Sequence, residues 1–93
     1  MNFLDLLNRV ARLAKPAHQD LTPIDSMDTP FKDTEIDSLD GMMIVMYMAI
    51  IYGVSDDDAK DFTPTTPQEL QDFVEQYKTK TPESIEQAIL EVM

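Results

Sequence analysis

Ninety-three residues carrying a formal net charge of −11 make one domain of modest stability, which buries only roughly 60–65% of its unfolded surface. That charge repels nucleic acid, anionic membranes and other acidic proteins and attracts basic partners, and the small core leaves little room for an enzyme's enclosed cleft. With no cysteine, the chain forms no disulfide or cysteine-based metal site and has no thiol of its own to carry a group. The longest apolar stretch, residues 41–51, is too short to span a bilayer, and the N-terminus lacks the small-residue cleavage pattern of a secretory signal, so a cytoplasmic location is expected.

In chain order, Phe3, Leu6, Leu7, Val10, Leu13 and Ala14 recur at three- and four-residue spacing and predict one apolar face of a helix over residues 2–15. Arg9, Arg12 and Lys15 lie toward its C-terminal end, where positive charge suits the dipole, and Pro16 terminates it. Three basic residues do not offset the acidic remainder and make no nucleic-acid patch. Residues 16–37 change character, with prolines at 16, 23 and 30 and scattered apolar residues Leu21, Ile24, Met27, Phe31 and Ile36. A connection this long is uncommon unless it is functional or crosses the core, and its apolar residues predict that it packs. His18, the one histidine, has no Cys or second His to complete a metal site and reads as a surface residue.

The most hydrophobic segment, residues 41–52, is opened by Asp37-Ser38-Leu39-Asp40. Asp37 is placed as an N-cap whose carboxylate accepts the amide of Asp40, and Asp40 lies in the first turn, where its charge suits the dipole. Ser38 then falls at the first helical position, its hydroxyl outward. Exposed N–H groups and the positive end of the helix would stabilise a phosphate attached there. Taken alone, Asp-Ser-x-Asp is first a helix start, which many unrelated proteins share. Asp25-Ser26-Met27 looks similar, but Pro23 and Pro30 bracket it and no apolar helix follows. At 100° per residue, Gly41, Ile44, Val45, Met48, Ile51 and Tyr52 fall on one side of the helix. Leu39, Met42, Met43, Met46 and Ile50 fall on the other, and a helix apolar on both sides needs cover on both.

Gly53 ends this helix, and Ser55 caps a short acidic one over residues 56–61. The three consecutive aspartates lack the glycine and distant glutamate of an EF-hand loop. Thr66-Pro67-Gln68-Glu69 is a helix start with a threonine cap, proline at the first position and a glutamate for a capping box, followed by a stripe of Leu70, Phe73, Val74 and Tyr77. The same grammar recurs at Thr81-Pro82, with Ile85, Ala88, Ile89 and Val92 on one face of a final amphipathic helix over residues 82–93.

Asp-Ser-Leu-Asp, a long apolar helix, Gly-Val and an acidic turn resemble the acyl carrier proteins, and the order and length of elements from residue 3 to 78 carry the resemblance further. It implies an all-α, acyl-carrier-protein-like bundle of three main helices and a short third helix over residues 1–80. The C-terminal helix, residues 81–93, is an addition whose role the resemblance does not supply. It implies that the long loop crosses the bundle and delivers Ser38 for modification with 4′-phosphopantetheine from coenzyme A, whose thiol holds acyl groups as thioesters. The implied role is a discrete carrier, not an enzyme, in a fatty-acid-like or polyketide-like pathway. Implied partners are a phosphopantetheinyl transferase and acyl-loading or acyl-processing enzymes such as a ketosynthase or acyltransferase. The chain departs from the family where Met43, Ala49 and Ile50 replace acidic residues on the second helix. Asp37, Leu39, Asp40, Met42, Met43, Met46 and Ile50 are therefore expected to meet a specialised partner set. The alternative is an unmodified acidic interaction module that grips a partner with its Met-rich second helix.

Overall fold

The computed structural model describes residues 2–14 and 22–93 and is all-α. Asn2 starts α1 (Phe3–Ala14) by accepting the N–H of Leu4 on its Oδ1 at 2.8 Å, and Leu6, Leu7 and Val10 are fully buried along the apolar stripe. Lys15, Pro16, His18 and Leu21 lie outside the described residues.

The described part of the long connection, residues 22–37, is fastened at several points. Asn8 in α1 holds Ile24 in both directions: Nδ2 donates to the Ile24 carbonyl at 2.9 Å and Oδ1 accepts the Ile24 N–H at 2.7 Å. The carbonyl of Met27 accepts the N–H of Gln68, and the N–H of Phe31 donates to the carbonyl of Thr65 at 2.9 Å. Ile24 and Ile36 are buried in the core, while Met27 and Phe31 pack on it partly covered. The described part of the segment therefore packs, as Ile24, Met27, Phe31 and Ile36 predict, and includes a 3₁₀ turn at Phe31–Asp33.

Helix α2 (Ser38–Tyr52) is the central element, with Ile44, Val45, Met48, Ile51 and Tyr52 buried. Gly53 closes it in the left-handed conformation at φ 67°, and the N–H of Val54 returns to the carbonyl of Ala49 at 2.8 Å. The carbonyl of Tyr52 accepts the N–H groups of both Thr79 and Lys80, so the chain after α4 completes the C-terminal cap of α2. Burial, and then the charge of Glu75, raises the Tyr52 phenol above its ordinary 10.0.

Helix α3 is Asp56–Ala59, shorter than the expected 56–61, because its first turn leads directly into a turn at Lys60 and Asp61. Helix α4 (Pro67–Tyr77) has the expected Thr66 cap and buries Leu70, Phe73 and Val74. Two details differ. The Glu69 carboxylate accepts the N–H and hydroxyl of Thr65 rather than the amide of Thr66. Tyr77 is 40% exposed, leaning on the ring of Phe73 at 5.1 Å instead of entering the core.

Helix α5 is Ile85–Val92, and its start corrects the expected Thr81-Pro82 one. The Ser84 hydroxyl caps it by accepting the N–H of Gln87 at 3.1 Å, and Gln87 Oε1 accepts the N–H of Glu83 at 2.7 Å. Thr81 stays exposed in the connection, and Pro82 is a buried contact ahead of the helix. Helix α5 packs on α1 and α2 through buried Ala88 and Ile89, with Ile85 and Val92 partly covered beside them. The radius of gyration, 12.1 Å, is close to the roughly 12 Å of a globule this long, so α5 lies against the bundle. The frame thus includes α5 as well as α1, α2 and α4, all joined in one hydrophobic cluster.

Candidate functional site

Ser38 occupies the first position of α2 because the residues before it leave little freedom. Thr34 donates its hydroxyl to the Phe31 carbonyl at 2.6 Å and accepts the N–H of Ile36 at 3.1 Å, and Ile36 is anchored in the core. The chain then reaches Asp37 extended, and Asp37 Oδ1 accepts the N–H of Asp40 at 2.8 Å. This is the predicted cap. It leaves Ser38 exposed on the first turn, at the positive end of the dipole of a fifteen-residue helix.

Ser38 stands on the rim of an open-sided apolar pocket of about 650 Å³. One wall is the first two turns of α2, with Gly41, Ile44 and Val45; a second is the 3₁₀ turn at Phe31 and Lys32. The far wall is the segment after α3, from Phe62 to Thr66. Phe62 is held there by stacking flat on Phe73 of α4, with centroids 3.9 Å apart and planes 7° from parallel. Thr65 is held by Glu69, whose carboxyl is lowered below its usual value first by the Thr65 backbone N–H and then by its hydroxyl. Among the described residues lining the pocket, only Lys32 and Asp37 are charged. Its volume lies within the roughly 300–1,000 Å³ usual for small-molecule sites.

The second side of α2 is open. Leu39 and Met42 are each 65% exposed, Met46 60% and Ile50 49%, and Met42 also borders the pocket. Helix α5 does not cover this face, since it packs through Ala88 and Ile89 against α1 and the other side of α2. Three residues depart from the expected face. Met43 is half-buried, and Ala49 is buried because its small side chain turns into the core. Asp40 is 7% exposed, buried at the helix start where the dipole favours its charge, and is not part of the outer surface. Asp37 remains exposed beside Ser38.

The pocket was not visible in the sequence. Its far wall, Phe62 to Thr66, reads there only as a connection between two helices, and it meets α2 through tertiary packing alone. Among the described residues, no group of three or more His, Cys, Asp or Glu side chains is arranged to hold a metal ion, the Asp56, Asp57 and Asp58 run included. No described helix is long and apolar enough to cross a membrane. Comparisons of the chain with protein-family models, with curated proteins and with solved structures find no match.

Proposed function

We propose that this protein is an acyl carrier, modified at Ser38 with 4′-phosphopantetheine. The observation that carries the reading is an exposed serine hydroxyl, at the N-terminus of a long helix, on the rim of a large apolar pocket. The residues fit the group. Ser38 Oγ offers an ester position in solvent, the helix N-terminus favours the phosphate charge beside it, and Lys32 brings a cation to the same rim. When attached, the arm supplies the thiol that the cysteine-free chain lacks and holds acyl groups as thioesters. The pocket between α2 and the segment after α3 then shelters the apolar part of the cargo from water. The chain carries the cargo, and the chemistry belongs to partners in a fatty-acid-like or polyketide-like pathway.

Leu39, Met42, Met46 and Ile50 form the docking face for those acyl-loading and acyl-processing enzymes, a ketosynthase or acyltransferase among them. The complementary partner surface is apolar at its centre and basic at its edge, because Asp37 flanks one end of the face and the chain as a whole carries a net charge of −11. Flexible methionine side chains suit successive partners of different shape.

Incubation with coenzyme A and a broad-specificity phosphopantetheinyl transferase, read by intact mass, tests the reading. The native chain gains one arm and Ser38→Ala gains none. The exposed α2 face also favours a second reading, an unmodified interaction module, for which neither protein gains mass.

A further inference from the structure

We infer that Gly41 is the specificity-determining residue of the pocket, and that its missing side chain admits a branched or ring-bearing hydrocarbon group past Ser38. Gly41 lies on the stripe of α2 that points inward, where Ile44, Val45 and Met48 are each at most 5% exposed. A Cβ built on Gly41 nevertheless meets nothing within 4 Å. Neither a neighbour's close approach nor a positive φ demands glycine there; Gly53 is the glycine whose φ is positive. An interior helical position normally favours a side chain, so the omission is explained by the space it leaves. That space is the pocket, which Gly41 lines one turn beyond Ser38.

The occupant follows from the walls. Phe31, Phe62, Ile44 and Val45 present hydrocarbon, and the two charges, Lys32 and Asp37, are of opposite sign. A neutral apolar group is therefore complementary and an anionic one is disfavoured by the acidic chain. The volume of about 650 Å³ is several times that of an apolar cavity of about 150 Å³ able to take a benzene ring. A thin linear chain gains little from a wall that lacks a Cβ, whereas a ring or branch needs that width. This deepens the carrier reading by naming the shape of cargo and rests on it for the tethered form; binding of an untethered group does not.

Two neutral alcohols of equal carbon number, 1-decanol and 4-cyclohexylbutan-1-ol, titrated into the full unmodified chain and followed by amide chemical shifts, test the inference. The native chain takes both, with the largest shifts at Gly41, Val45, Phe62 and Thr65. Gly41→Leu, with helical circular dichroism retained, weakens the ring-bearing alcohol by about tenfold or more and the linear one by less. Gly41→Ala shows the same order with smaller losses and serves if the leucine variant does not fold. Leu90→Ala, exposed on α5 and away from the pocket, binds both alcohols as the native chain does. No binding by the native chain, equal losses for the two alcohols, or shifts centred on Met46 and Ile50 would overturn the inference. A chain that binds the alcohols but gains no arm loses the carrier reading and keeps this one.

Discussion

The two glycines of the chain are opposite cases, although both lie in or beside α2. Gly53 has φ 67°, and a Cβ there would collide with the Thr79 hydroxyl, which itself donates to the Gly53 carbonyl at 2.7 Å. Gly53→Ala should therefore cost about 1–3 kcal/mol, read by urea unfolding. Gly41 has ordinary helical backbone and empty space, so Gly41→Ala should stabilise the fold by about 0.5–1 kcal/mol. A loss on Gly41→Ala would mean that its neighbours do crowd it. The terminating role of Gly53 was legible, because a glycine after a long apolar run is a local signal. The role of Gly41 was not, because its meaning depends on Phe62 and Thr65, more than twenty positions away, forming the opposite wall.

At the scale of elements, caps decide where helices begin, and they separate what the sequence could tell from what it could not. Asp37 and Thr66 cap α2 and α4 as their motifs predict, since each needs only the amide three residues on. Thr81 obeys the same grammar and caps nothing, because Pro82 is drawn into the core and the chain turns into helix only at Ser84. Ser84-x-x-Gln87 was the competing signal. Ser84→Ala should cost about 1 kcal/mol while Thr81→Ala should be near neutral, both measured by thermal or urea unfolding; the reverse ranking would return the helix start to Thr81. The exposure of Leu39, Met42, Met46 and Ile50 was also foreseeable in part. Periodicity showed that α2 has two apolar sides, but only the packing of α5 on α1 and α2 shows which side the bundle encloses.

Across the whole molecule, charge opposes compactness. Eleven acidic residues from Asp20 to Asp61 face only Lys32 and Lys60 in that stretch, so screening by salt should relieve self-repulsion. The melting temperature should rise through a sodium chloride series from low ionic strength, and a flat curve would show that the charges are too widely spaced to matter. On the proposed carrier reading, the same acidity suits brief encounters with basic partners, and specificity falls to Ser38, its pocket and the apolar face beside it. Everything in that account depends on one oxygen. The decisive measurement is peptide mapping by mass spectrometry after treatment with coenzyme A and a phosphopantetheinyl transferase, with Ser38→Ala and Ser26→Ala alongside. Ser26 is half-buried in a turn, with its hydroxyl accepting the N–H of Asp28, so it should stay unmodified. The arm should map to Ser38 in the native chain and in Ser26→Ala, and to nothing in Ser38→Ala; an arm on any other residue, or none on a correctly folded native chain, would contradict the account.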